Sequence, residues 1–252
     1  MSVGKLIFEA LKDQQAIFGD ELFSTIIEPE SPETEYDVPE QNNFQVAEKT
    51  EYNMNSNLFA EDFQKADSID ELNSKINQCE KCSLGKTRIK FVFGSGNPNA
   101  DVMLIGEAPG AEEDKQGEPF VGRAGKLLTD ILKAINFTRE EVYIANILKC
   151  RPPNNMDPLP SEMETCKPYI LKQIDLIKPK AILCLGRVAA NAMLNKNLAL
   201  GKMRQNIYEL NDVKVMATYH PAALLRNPNW KRGCWDDVKK FRQLYEELVG
   251  SK

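Results

Sequence analysis

Residues 101–110, DVMLIGEAPG, decide the fold. Val102–Ile105 is an uninterrupted apolar run, the pattern of a short strand covered on both faces, and it stops at Gly106-Glu107-Ala108-Pro109-Gly110, where glycine and proline break the strand. Further β-rich runs follow at Val142–Leu148, Ala181–Leu185 and Val213–Thr218. Helical patterns at Gly125–Ile135, Ser161–Ile177, Val188–Leu194 and Asp236–Leu248 follow the runs in turn. Such alternation implies a parallel sheet with helices on both faces. In that architecture ligands bind beyond the carboxyl ends of the strands, so the residues just after each run are the ones that carry chemistry.

A chain of 252 residues fits one domain of about 150–200 residues with an appendage. No apolar run approaches the roughly 18 residues of a membrane span. The first segment, MSVGKLIFEALKDQQAIFGDELF, is interrupted by Glu9, Asp13 and Asp20, which breaks the apolar stretch of a secretory signal; the expectation is a cytoplasmic protein. Charge divides sharply along the chain. Residues 1–65 hold four Lys, no Arg and fourteen Asp or Glu, a charge of −10, and the whole-chain value of −5 leaves +5 for residues 66–252. An acidic extension therefore conceals a basic body, as phosphate binding requires. Residues 28–52 are rich in Pro, Glu, Gln and Asn and read as a disordered linker. Leu6, Ile7, Ala10, Leu11, Ile17 and Phe18 before it have near-helical spacing, which suits either a helix on the protein's own surface or a segment that docks on a protein partner. The expected organisation is an extension over 1–65 and a catalytic domain over 66–252.

Of six cysteines, Cys79 and Cys82 form a C-x-x-C pair after the helical pattern SIDELNSKINQ, a metal-ligand spacing. Cys150, in KCRPPNN, and Cys166, in a helical pattern, stand in polar sequence where a packing cysteine has no obvious apolar contact. Four thiolates from three places would tie the lead segment to the sheet; zinc and an iron–sulfur cluster both accept such a set. Cys184, inside AILCLG, reads as a core residue, and Cys234 as packing.

The loop Gly106–Gly110 lets backbone N–H groups approach a ligand closely. Glu107, Glu112, Glu113 and Asp114 crowd the same region and would repel a polyphosphate, and no phosphate-loop motif is present. Phe120, between Pro119 and Val121, is either core or a face on which a base stacks. Asn146 is an amide in the apolar run VYIANILKC, and such a group can pair with the O4 and N3–H edge of uracil. His220, the single histidine, follows the fourth run in ATYHPAALLRNP, with Arg226, Lys231 and Arg232 close behind. An imidazole there can donate to a developing oxyanion.

GEAPGAEEDKQGEPFVGRAGKLL, NILKCRPPNN and HPAALLRNP, together with Cys79, Cys82, Cys150 and Cys166, closely resemble the family 4 uracil-DNA glycosylases over roughly residues 75–249. The resemblance implies a three-layer α/β/α sandwich around a four-stranded parallel sheet and a structural [4Fe–4S] cluster on those four cysteines. It also implies excision of uracil without strand cleavage, and the expectation is a monomer that acts on single- or double-stranded DNA by base flipping. Phe120 is then the stacking platform, Asn146 the pyrimidine reader and His220 the stabiliser of the uracil oxyanion, while Gly106, Ala108, Pro109 and Gly110 hold base and sugar. Ala108 stands where better-known uracil glycosylases carry a water-orienting Asp, which leaves Glu107 and Glu113 as candidates for the water. Leu224, Leu225 and Arg226 are placed to fill the vacated stack. A related branch that captures uracil-DNA through a histidine in an added basic loop is not matched, because this chain lacks the insertion. The rival readings are a non-catalytic metal-stapled DNA-binding module, which leaves Phe120, Asn146 and His220 without a joint purpose, and a nucleotide-dependent transferase.

Overall fold

The structure, a computed structural model, describes residues 46–52 and 61–250. In chain order the regular elements are β1 (Val46–Thr50), α1 (Ile69–Ile76), β2 (Ser95–Gly96), β3 (Val102–Gly106), α2 (Ala111–Gln116), α3 (Arg123–Ala134) and β4 (Tyr143–Asn146). They continue with α4 (Pro160–Ile177), β5 (Ala181–Leu185), α5 (Arg187–Leu194), α6 (Leu200–Met203), β6 (Ile207–Leu210), β7 (Val213–Thr218), α7 (Pro221–Arg226) and α8 (Lys231–Val249). All four β-rich runs become strands, and they lie side by side and parallel in the order β7-β5-β3-β4.

The sheet is larger than the four strands expected. Among the described residues it has seven, in the order β1-β6-β7-β5-β3-β4-β2, with β6 antiparallel to β7, β1 parallel to β6, and the two-residue β2 antiparallel to β4. β6 and β7 are joined through Asn211 and Asp212, both with φ above zero, so a tight turn doubles the chain back. The composition of residues 28–52 suggests a disordered linker throughout, yet Val46–Thr50 pairs in parallel with Ile207–Leu210, with a register shift between Val46 and Lys49. A strand edge supplies backbone partners that composition does not reveal. Residues 6–18, 28–45 and the rest of 1–45 lie outside the described residues.

Period-two alternation divides the central strands between two cores. Val102, Leu104, Ile144, Leu183, Leu185 and Met216 pack beneath α3, α7 and α8 with Leu128, Leu224 and Phe241. Met103, Ile105, Ala145, Ile182, Cys184, Val215 and Ala217 face the opposite side, against α4, α5 and α6. The result is the expected three-layer α/β/α sandwich. Each fully buried Leu or Ile contributes about 1.5–3 kcal/mol relative to exposure, so the two faces together hold the sheet.

A third core belongs to the lead segment. Ser68 caps α1 by accepting from Glu71 N at 3.1 Å, and Leu72 and Ile76 on its inner face meet Phe63, Leu84, Phe93, Leu148 and Tyr169. Phe63 packs edge-on against Tyr169, with centroids 4.9 Å apart. Residues 61–65, assigned to the extension by charge, thus pack on the body.

Candidate active site

The carboxyl ends of β3, β4 and β7 open into one cavity of about 350 Å³. Its wall carries Glu107, Ala108, Pro109 and Gly110 after β3, Glu113 on α2, Phe120, Asn146 at the end of β4, and His220 with Arg226 after β7. Residues separated by more than a hundred positions therefore converge, as the strand-end rule requires. Gly106 lies just beneath: a methyl group there would strike Asn146 Oδ1 and come within 2.7 Å of Phe120 Cζ, so only glycine lets amide and ring approach one another.

Asn146 is 2% exposed, and its Oδ1 is buried without a hydrogen-bond partner. A buried acceptor left unpaired costs about 1–3 kcal/mol, which marks it as a group awaiting a ligand. Its backbone is held from behind: Lys149 Nζ, fully buried, donates to Asn146 O at 2.8 Å, Phe93 O at 3.0 Å and Gln173 Oε1 at 2.6 Å. Burial pulls the Lys149 ammonium down to about 7.

Phe120 has φ +53°, a left-handed conformation rare for a bulky residue and costing about 1–3 kcal/mol. Its ring adjoins that of His220, with centroids 5.5 Å apart. His220 caps the short helix α7: its Nδ1 accepts from Ala222 N at 3.1 Å, which places the proton of the neutral ring on Nε2. Desolvation first, then the nearby Arg226 charge, brings this imidazole down to about 4, against a smaller opposing pull from Glu113. The strand end before it is fixed by Asp237, which is fully buried, accepts from Thr218 Oγ1 at 2.8 Å, and is paired with Arg204 Nε at 2.6 Å.

The carboxylates divide by what they hold. Glu113 Oε1 accepts from Val121 N and Gly122 N, both at 3.0 Å, and its Oε2 accepts from Gly110 N at 3.1 Å. Asp114 Oδ1 accepts from Ile89 N at 2.8 Å. Both side chains are thus engaged in fastening loops. Glu107 faces the cavity with its pKa raised, by desolvation first and then by Asp157, while Arg187 works against the shift. Pro152, Asn155, Met156 and Asp157 also line the cavity. Sequence reasoning named none of these four, although they follow directly on a strand end and two of them lie within KCRPPNN.

Leu224 does not belong to the surface. It is fully buried in the core beneath α3, whereas Leu225, its neighbour on α7, is 44% exposed and Arg226 is exposed. Successive residues of a helix point about 100° apart, so the two leucines cannot share a role.

Cys79, Cys82, Cys150 and Cys166 all belong to the third core, with Cys150 and Cys166 buried among apolar residues and not in the polar setting their sequence suggested. Tertiary packing of α1 against α4 supplies that apolar cover. Arg88 Nη1 donates to Cys150 Sγ at 3.4 Å and also to Cys79 O, and Tyr169 Oη lies 3.1 Å from Cys79 Sγ. Burial pushes the Cys166 thiol up to about 12 and raises that of Cys150. Four thiols with a guanidinium and a buried ammonium beside them fit a group that accepts thiolates and leaves a net negative charge to balance. Among the described residues no three His, Cys, Asp or Glu are gathered for a single metal ion. Cys184 and Cys234 are buried in the sheet cores, as expected of packing residues.

A cavity at the strand ends of an α/β sheet, with an unpaired amide, an aromatic ring and an imidazole on its wall, stands where such a fold places its ligand. A family model described as the uracil DNA glycosylase superfamily matches residues 93–248. Relatives named type-4 uracil-DNA glycosylase include that of Archaeoglobus fulgidus, 45% identical over 186 residues that cover 71% of this chain and 94% of the relative. Those of Sulfurisphaera tokodaii and Thermotoga maritima are 43% and 38% identical, covering 71% and 73% of this chain and 85% and 98% of the relatives. The chain belongs to the type-4 branch of the uracil DNA glycosylase superfamily, a branch of glycosylase enzymes. Among the described residues no helix is long and apolar enough to cross a membrane.

Proposed function

We propose that this enzyme excises uracil from DNA by hydrolysing the N-glycosidic bond of a nucleotide flipped out of its strand, leaving the backbone uncut and an abasic site behind. The observation that carries this reading is the unpartnered Oδ1 of Asn146, buried beside Phe120 at the end of β4. That oxygen accepts the N3–H of uracil while the amide nitrogen donates to O4. Cytosine presents the reverse pattern on the same two positions and is refused.

Phe120 stacks on the base, and Ala108, Pro109 and Gly110 close around base and sugar. His220 donates from Nε2 to the uracil oxygen on which negative charge gathers as the glycosidic bond breaks. A neutral imidazole suits this task because its depressed pKa keeps it from protonating, while the Ala222 N–H on Nδ1 leaves the single proton on Nε2. Glu107 orients the attacking water: it faces the cavity, whereas both oxygens of Glu113 are occupied by backbone amides. Leu225, with Arg226 beside it, enters the gap left by the flipped nucleotide.

Cys79, Cys82, Cys150 and Cys166 hold a [4Fe–4S] cluster in this reading. The cluster supplies cross-linking of the lead segment to the sheet and no step of the reaction. The acidic extension, residues 1–65 by charge, is a candidate for contact with another protein.

Incubation with a labelled uracil-containing strand, followed by alkali, tests the reading. Cleavage that depends on alkali is expected. Cleavage without alkali would show a lyase, and none with either treatment would leave a DNA-binding module.

A further inference from the structure

We infer that Arg139 is a positioning residue for the reaction: from outside the cavity, it holds Phe120 in the backbone conformation that presents its ring to the base. The inference rests on the reading of the cavity as the uracil site.

Phe120 occupies the left-handed region at φ +53° with nothing in its own side chain to favour it. The neighbours must therefore impose the conformation. The two carbonyls that bracket Phe120 are held by one side chain: Arg139 Nη2 donates to Pro119 O at 3.0 Å and Nη1 to Phe120 O at 3.2 Å. The chain leaving the turn is held through its amides, by the Glu113 carboxylate on Val121 N and Gly122 N. The cation and the anion thus share the Phe120–Val121 peptide, one on its carbonyl and the other on its N–H. The opposite wall of the turn is Gly125 in the first turn of α3, where a methyl group would collide with the Phe120 carbonyl. The turn is pressed onto the helix, and only glycine leaves room for it.

Arg139 lies in the connection between α3 and β4 and is not among the residues that line the cavity. Its planar fork reaches two consecutive carbonyls at once, which an ammonium cannot do with the same geometry. Its effect on the reaction therefore passes through Phe120. Without it, the Pro119–Phe120 peptide relaxes toward the right-handed region, and the ring leaves its place above Gly106 and beside His220. A misplacement of about 1 Å in a stacking group is enough to cost a large factor in rate.

Single-turnover uracil release by wild type, Arg139→Ala, Arg139→Lys, Phe120→Ala and the Phe120→Ala/Arg139→Ala pair tests this. Arg139→Ala should slow release by about tenfold or more, with lysine restoring little of it. In the Phe120→Ala background the same replacement should cost nothing further, because the ring it serves is gone; a general structural role would cost the same in both backgrounds. A crystal structure of Arg139→Ala should show Phe120 at negative φ. Equal losses in the two backgrounds, or wild-type release with Phe120 still at positive φ, would overturn the inference. Should wild type release no uracil, the reading of the cavity falls, and the φ of Phe120 in Arg139→Ala then decides the inference about Arg139 by itself.

Discussion

The rings of Phe120 and His220 stand side by side at the cavity wall, centroids 5.5 Å apart and planes inclined by 32°. One ring arrives from the connection between α2 and α3 and the other from the end of β7, so the contact exists only when the sheet is assembled. In the proposed reading, a base lying on Phe120 is thereby brought edge-first to the imidazole. Replacing His220 with Ala should depress turnover on uracil by about a hundredfold or more while changing DNA affinity little. The defect should shrink for 5-fluorouracil, whose ring already stabilises the departing charge. Equal losses on both bases would mean that His220 positions DNA or water instead.

The same imidazole makes a pH prediction. Its folded pKa of about 4 lies below the ordinary value of 6.5, so between these values the unfolded chain binds more protons than the folded one. Its contribution to stability is therefore complete above about pH 6.5 and is lost as pH falls through that range toward 4. The sequence contains one histidine, so an untagged protein gives a single imidazole signal by NMR. That signal should hold its neutral position from pH 8 down to about 5.5. A midpoint near 6.5 would show a solvated, freely titrating ring.

Asn146→Ala should lose at least about a hundredfold in uracil release, since a site built to pair a polar edge discriminates steeply against a missing partner. Asn146→Asp should lose uracil release and gain release of cytosine, because a carboxylate accepts from the cytosine amino group. Rates on paired uracil and cytosine oligonucleotides provide the check. Wild-type uracil release by Asn146→Ala would remove this residue from the site.

Cys150→Ala should purify without iron and unfold at lower temperature, because in the proposed cluster Cys150 would tie the segment after β4 to Cys79 and Cys82. Cys184→Ala, in the interior of β5, should keep its iron and lose only packing. Iron and acid-labile sulfide assays beside a thermal melt distinguish them. Full iron content in Cys150→Ala would contradict the ligand set.

At the far edge of the sheet, removal of residues 1–45 should leave the denaturant midpoint unchanged, while removal of residues 1–52 should lower stability by about 1–3 kcal/mol. The longer deletion takes away β1 and the anchoring of Tyr52. Its backbone exchanges hydrogen bonds with the Asn211 side chain at 2.8 and 3.1 Å, and its hydroxyl donates to Ala192 O at 3.1 Å. Equal midpoints for the two truncations would show that β1 adds nothing.

The alternation of apolar runs and helical stripes was enough by itself to determine the parallel core, because burial on both faces leaves a continuous hydrophobic strand pattern that nothing else in this chain imitates. Residues at the ends of those strands, Glu107, Asn146 and His220, were legible for the same reason: strand ends are where such a sheet opens. Tertiary structure alone decided the rest. β1 is held by backbone groups of β6, and an edge partner leaves no mark in the composition of the segment it recruits. Glu107 and Glu113 are the same residue type six positions apart. Both line the cavity, and only the fold spends Glu113 on three backbone amides while leaving Glu107 to face the opening. Leu224 and Leu225 differ only in which side of α7 they face, and Arg139 acquires a role through carbonyls about twenty residues away. In each case what counts is direction in space, and sequence specifies direction only after neighbouring elements have packed.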